Sequence, residues 1–240
     1  MNQFFKRTAL CLTLAFGATS VLALPADFDA KMAARPDADK ARDEARKPKE
    51  TVELLGIQEG WTVVDVSAGG GWFTRVLSAA VGPNGKVLAQ FGERPLQTNN
   101  GQAQKDMAAS LGNVEPQFVA MSGVAAGTAD AAVTAMNLHD AFNFRGEEAG
   151  VAFIKDIFNV LKPGGVAAII DHEGNTGVDN KELHRIAHDT VKSLIEKAGF
   201  EIVTDSQLLN NAADDHSKSS SDETLGRSTD QVFFVVRKPA

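Results

Sequence analysis

The chain has 240 residues, with 24 Lys+Arg against 31 Asp+Glu, a formal net charge of −7, 43% apolar and 23% charged residues. These proportions exclude wholesale disorder, collagen and coiled coil, and the acidic balance excludes a general nucleic-acid binder, which needs a basic face to displace counterions. Tyr is absent and Cys occurs once, at Cys11, so a disulfide framework and a Cys-based metal site are both excluded.

Residues 1–23 carry Lys6 and Arg7, then a short apolar stretch over 8–18, then Val21-Leu22-Ala23 as a small-residue cleavage site. This is the pattern of a secretory signal peptide, with Leu24 as the first mature residue. Cys11 lies within the apolar stretch and follows Leu10, which argues against a lipoprotein. Cleavage removes the single Cys, which suits an oxidising compartment. The expected location is therefore outside the cytoplasm, in the periplasm. No later segment approaches ~20 continuous apolar residues, so no stable membrane insertion is expected after cleavage. Residues 24–36 are expected to form an N-terminal linker ahead of a single domain over 37–240.

Residues 37–55 read as a charged helix interrupted or kinked at Pro48. After Gln58-Glu59-Gly60, the β-branched run from Thr62 suits a buried strand. Gly69-Gly70-Gly71 follows, then a helix over Trp72 to Val81 and a turn at Gly82-Pro83-Asn84-Gly85. Strands are expected over 86–91, 116–121, 130–136 and 166–170, with helices over 101–111 and 147–161 and a turn at Lys162-Pro163-Gly164-Gly165. A helix is expected over 181–198 from the spacing of Leu183, Ile186, Thr190, Leu194 and Ala198. The last strands are 200–204 and 231–237, with a polar Ser- and Asp-rich connection over 207–230, either a functional loop or a mobile one.

Alternating strands and helices imply parallel strands with helices on both faces. No helix pattern separates the last two strands, so they are expected to pair antiparallel. The expected fold class is α/β: a doubly wound, mostly parallel, seven-stranded Rossmann-like sheet with an antiparallel last strand.

The most informative stretch is Val63-Val64-Asp65-Val66-Ser67-Ala68-Gly69-Gly70-Gly71-Trp72-Phe73-Thr74. Glycines after a strand let the backbone take positive φ and approach a ligand closely, and in an open α/β sheet ligands lie beyond the carboxyl ends of the strands. A tight strand–helix turn wants glycine for steric reasons as well. A phosphate-binding P-loop is excluded because no Gly-Lys-Ser/Thr follows, and the third glycine of a dinucleotide fingerprint is replaced by Thr74.

This stretch resembles motif I of class I S-adenosylmethionine-dependent methyltransferases. Val81-Gly82-Pro83-Asn84-Gly85-Lys86-Val87 and Leu161-Lys162-Pro163-Gly164-Gly165 are similar to that family too. Within it, the chain most resembles an exported bacterial group, through Asn137-Leu138-His139-Asp140, Leu183-His184-Arg185, Asp214-Asp215-His216 and Gly226-Arg227-Ser228-Thr229-Asp230. The resemblance implies S-adenosylmethionine as cofactor and a small-molecule methyl acceptor. It implies a site for the methionine portion at Asp65, Ser67, Ala68, Gly69, Gly70, Gly71 and Thr74, with Asn137 near it. It also implies a ribose contact at the end of the second strand and an adenine contact near Ser122. Phe91 stands where the family carries a ribose-binding acid, with Glu93 two residues on as the substitute, and Ser67 replaces the first glycine. The charged helix over 37–50, otherwise a solvated face, would pack over the cofactor mouth, where Arg42 or Arg46 meets a carboxylate.

His139-Asp140 follows the fourth strand directly, at the ligand-facing edge. It reads as a general base or acceptor-orienting pair, or as a helix cap beside a surface His. Asp171-His172-Glu173 follows the fifth strand at the same edge, with His172 as a further catalytic candidate. His184 and His188, four apart on the expected helix, share one flank, but HRIAH lacks the Glu of a zinc-protease motif. Asp171, His172, Asp215 and His216 form the alternative cluster of a metal-assisted hydrolase. No metal is assigned. Gly-x-Ser-x-Gly is absent, which argues against an α/β-hydrolase. Three functions remain: a small-molecule methyltransferase, an exported binding or accessory protein that keeps the fold without transfer, and a metal-assisted hydrolase.

Overall fold

A computed structural model describes residues 24–226 and 228–240. Residues 1–23, where a signal peptide is expected, and Arg227 lie outside the described residues. Seven strands make one sheet: β1 Thr62–Val66, β2 Lys86–Gln90, β3 Val114–Gln117, β4 Ala129–Ala135, β5 Leu161–Gly174, β7 Glu201–Asp205 and β8 Gln231–Arg237. A two-residue β6, Ile186–Ala187, pairs with the far end of β5. The order is β3-β2-β1-β4-β5-β8-β7. β8 runs antiparallel to both neighbours, and the other pairs along that order are parallel. The expected α/β class, with its antiparallel last strand, is the one observed.

Adjacent residues point to opposite faces of a strand. Val64 and Phe234 therefore join one core layer, and Val63 and Phe233 the other. The first layer takes Ile154 and Ile157 of α9 (Glu147–Val160) and Leu194 of α10 (His188–Lys197). The second takes Val76 and Leu77 of α5 (Trp72–Val81) and Val52 of α4 (Pro48–Leu54). Burial on both faces explains why β1 and β4 read as near-continuous apolar runs.

The amino-terminal region departs from expectation. Residues 24–36 are not a bare linker, because α1 (Phe28–Ala33) buries Phe28 in the second layer. The charged stretch forms three short helices, α2 (Asp37–Lys40), α3 (Asp43–Arg46) and α4. Pro48 opens α4, a position where its missing N–H costs nothing.

The expected helix over 181–198 is also corrected. Only His188–Lys197 is helical; His184 has φ +50°, and Ile186–Ala187 is strand. The cause is Arg185, which is fully buried. Its guanidinium donates to the Glu173 carbonyl at 2.7 Å, the Lys218 carbonyl at 2.8 Å and the Asp214 carboxylate at 2.9 Å. A buried guanidinium needs this full set of acceptors, and meeting it outweighs the helical spacing. The pairing of His184 and His188 on one helix flank is thereby lost. The same bonds anchor the 207–230 connection. Its Asn211 amide donates to the Ser228 carbonyl at 2.5 Å, and its His216 meets Asp230 at 2.9 Å.

Asp214→Ala strands the buried Arg185 charge. It is expected to destabilise the fold by about 3–5 kcal/mol, read as a fall in the urea midpoint with unchanged slope. A loss under ~1 kcal/mol would show that the pair is not structural.

Candidate functional site

Strand order reverses between β1 and β4, the place where an open α/β sheet leaves a crevice at its carboxyl edge. Ser67 after β1 has φ +53° and Met136 after β4 has φ +62°. Both are left-handed backbone that non-glycine residues rarely take. Gly69 and Gly71 continue the loop at φ +55° and +79°. At φ +79° Gly71 takes a backbone that favours glycine, and a Cβ there would also displace the end of the Met107 side chain.

The loop is tied from the side by Gln90, the last residue of β2. Its Oε1 accepts from the Ser67 amide at 2.9 Å, its Nε2 donates to the Val119 carbonyl at 2.8 Å, and its own carbonyl accepts from the Ala68 amide at 2.8 Å. Gln90 carries no sequence signal for this role, because its two side-chain bonds join loops that are distant in sequence.

Between the loop and α2–α3 lies a hollow of about 240 Å³. Asp65, Ser67, Ala68, Gly69 and Gly70 line it from below, and Asp39, Arg42, Arg46 and Trp72 from above. The short helices are fastened there by the Trp72 indole N–H on the Asp39 carbonyl at 3.0 Å and by Arg75 on the Asp39 carboxylate at 3.0 Å. Arg46 lies over the Trp72 ring, 5.0 Å from its centroid. The charged helix of the sequence is thus the roof of the hollow. A larger groove of about 860 Å³ runs between α1, α5 and α7 (Gln102–Leu111), but the glycine loop contributes nothing to its lining.

Of the remaining sequence candidates, Thr74 is buried and donates to Asp65 at 2.5 Å. The Asn137 amide donates to the Ala135 carbonyl at 2.7 Å. Glu93 is exposed at the start of α6 (Arg94–Gln97), and Ser122 is exposed in a single 3-10 turn. Neither lines the hollow. Phe91 stacks on Phe118 with centroids 5.8 Å apart. The polar floor and the arginines of the roof fit the amino-acid portion of S-adenosylmethionine; the end of β2 offers its ribose no carboxylate.

The second part of the site stands on β4 and β5. His139, in the first turn of α8 (Leu138–Arg145), and Asp171 of β5 are both buried. Asp171 accepts from the His139 backbone amide at 2.8 Å and meets its Nδ1 at 2.6 Å. A carboxylate partner fixes the proton on Nδ1 and leaves Nε2 as the basic nitrogen. Burial works against the charged ring, but the hydrogen bond and charge of Asp171, with Asp140, outweigh it and raise the His139 pKa above the usual value. His172 behaves oppositely. Burial pushes it down to about 4, and its Nδ1 meets the Thr229 hydroxyl at 2.6 Å. It is a neutral wall rather than a base. The Arg46 charge contributes to that depression, which links the roof of the hollow to the histidines.

The hydrolase cluster does not assemble. Asp171 is taken by His139, His172 by Thr229 and His216 by Asp230, while Asp215 bonds Ser217 within its own turn.

Asp65 is fully buried with Thr74 as its side-chain donor, and burial raises its pKa to about 7. A carboxyl that is a stronger base in the folded chain than in the unfolded one binds its proton preferentially when folded. Stability therefore falls as pH rises from about 4 to about 7. Asp65→Asn is expected to stabilise the fold at pH 8, by up to about 4 kcal/mol, and to change little near pH 4. Urea unfolding at the two pH values checks this; an equal effect at both would refute it.

The sequence belongs with proteins of known activity. The ubiE/COQ5 methyltransferase family matches over residues 44–179. A demethylmenaquinone methyltransferase of Lactococcus lactis is 24% identical over 189 residues, 78% of this chain and 72% of the relative. The ubiquinone/menaquinone biosynthesis C-methyltransferase UbiE of Escherichia fergusonii is 25% identical over 185 residues, 64% of this chain and 71% of the relative. Among solved structures, an S-adenosylmethionine-dependent methyltransferase of Aquifex aeolicus superposes with a TM-score of 0.59 at 21% identity, covering 87% of this chain and 96% of that one. The cyclase SpnF superposes at 0.60 with 18% identity, covering 82% and 81%, so the fold alone does not fix the reaction. The glycine loop and the family match together do: the chain belongs to the ubiE/COQ5 methyltransferase family and is an S-adenosylmethionine-dependent methyltransferase.

Proposed function

We propose that this protein is an exported enzyme that methylates a small molecule bound between the glycine-loop hollow and the start of α8. The observation that carries the acceptor side is the doubly held His139, whose Nε2 is left as the basic atom. S-adenosylmethionine supplies an activated methyl group on a sulfonium. The chain then has two tasks, to align the acceptor and to take its proton. In this reading Asp65, Ser67, Ala68, Gly69 and Gly70 cradle the amino-acid end, Gly71 and Thr74 shape the loop, and Arg42 and Arg46 face the carboxylate. Asn137 shapes the edge beside them. His139 takes the acceptor's proton at Nε2. Asp171 is a positioning residue that holds the ring, Asp140 supports the charged ring, and His172 walls the acceptor side. Glu93 and Ser122, exposed and away from the hollow, have no role here.

The test uses methyl-labelled S-adenosylmethionine with a small-molecule extract. His139→Gln and Asp171→Asn are expected to lower labelled product by about 10²-fold or more, while calorimetry with S-adenosylhomocysteine stays unchanged. Moreover, the pH profile of transfer should move in Asp171→Asn, as a purely structural change would not cause. Undiminished transfer in His139→Gln removes the base assignment.

Export rests on the basic, apolar and small-residue segments of 1–23. The periplasmic fraction is expected to hold a chain that begins at Leu24, as read by amino-terminal sequencing. A chain that keeps Met1 and stays with the cytoplasm refutes it.

A further inference from the structure

His139 Nε2 lies 3.2 Å from Asp140 Oδ1, and His184 Nδ1 lies 3.3 Å from the same oxygen. The three ligand atoms all fall within 4.8 Å of one another. In a tetrahedral zinc site, with N and O donors about 2.0–2.1 Å from the ion, neighbouring donors are about 3.3 Å apart. Two edges of the triangle already have that length. Only the third, between the imidazoles, has to close.

Three further features suit an ion. The His139 Nδ1 is bonded to buried Asp171, the carboxylate–histidine arrangement that orients metal-binding imidazoles. His184, at φ +50°, places its ring Nδ1 beside Asp140 Oδ1. Its ring also packs against Phe144, with centroids 5.5 Å apart. The side chains of Asp140 and His184 remain 57% and 45% exposed, so an ion has access and would keep open positions.

We propose that His139, Asp140 and His184 form a binding site for a divalent transition metal of the zinc class, with Asp171 behind it. Two imidazoles and one carboxylate suit zinc or cobalt and disfavour magnesium and calcium, which prefer all-oxygen ligands. The ion and a proton compete for the same Nε2. The metal-bound form therefore has no imidazole base and offers its open positions to an acceptor oxygen. That last consequence rests on the acceptor site described above; the metal site does not.

The test is a titration of untagged protein with cobalt(II) chloride, followed by visible absorbance, and then displacement by zinc(II) chloride. One equivalent is expected to bind and to give the intense bands of a low-coordinate site. Asp140→Asn and His184→Asn are expected to weaken binding about tenfold or more. The His184 change keeps a residue that tolerates the left-handed backbone, and both positions are exposed, so both variants should fold, as circular dichroism would verify. No binding by the wild type, or binding unaffected in both variants, overturns the proposal and leaves a hydrogen-bonded trio. S-adenosylhomocysteine calorimetry on the same samples reports on the cofactor hollow separately, so failure of one reading is distinguishable from failure of the other.

Discussion

The reversal of strand order between the parallel strands β1 and β4 governs the site. Each parallel strand delivers its outgoing loop to the same edge, and at the reversal the connecting helices leave toward opposite faces. The loops after β1 and β4 therefore part, and the gap between them cannot be filled by either helix. Ser67 and Met136 flank this gap in left-handed conformations. Such residues cost of order 1–3 kcal/mol each. They persist because Val63, Val64, Ala131 and Ala132 beneath them are fully buried and leave the strands no freedom to relax.

Two buried carboxylates stand at that edge and are treated differently. Asp171 receives the His139 amide and ring, and the His172 amide at 2.7 Å besides. Asp65 accepts from the Thr74 hydroxyl, and burial raises its pKa despite that bond. One carboxylate is a fixed orienting group. The other is pushed toward its protonated form by burial, with the Thr74 hydroxyl as its side-chain donor.

The architecture was legible because it depends on local signals that agree with one another. The run from Thr62, the glycine triplet and the helix beginning at Trp72 each indicate the same turn, and 231–237 was read to the residue. The glycine motif and the resemblance marked the stretch from Asp65, of which Asp65, Ser67, Ala68, Gly69 and Gly70 line the hollow, and the order of strands put His139 and Asp171 at one edge. What was missed depends on long-range bonds that no periodicity encodes. Leu183, Ile186 and Leu194 are spaced as on a helix, yet Arg185 draws its segment toward Glu173, Lys218 and Asp214. His184 therefore left His188, which turned to Asp205, and joined Asp140. Glu93 was expected near the cofactor by offset from β2, but the chain turns into α6 and leaves it in solvent.

The amide of Gln90 fastens two loops at once, receiving from the one after β1 and giving to the one after β3. A carboxylate in its place would still receive the Ser67 amide, but it would present a lone pair to the Val119 carbonyl and push it away. A carboxylate at position 90 itself and a latch between these loops are thus mutually exclusive. This chain carries the latch, and the positions of Ser67 and Val119 are tied to one another through a single side chain.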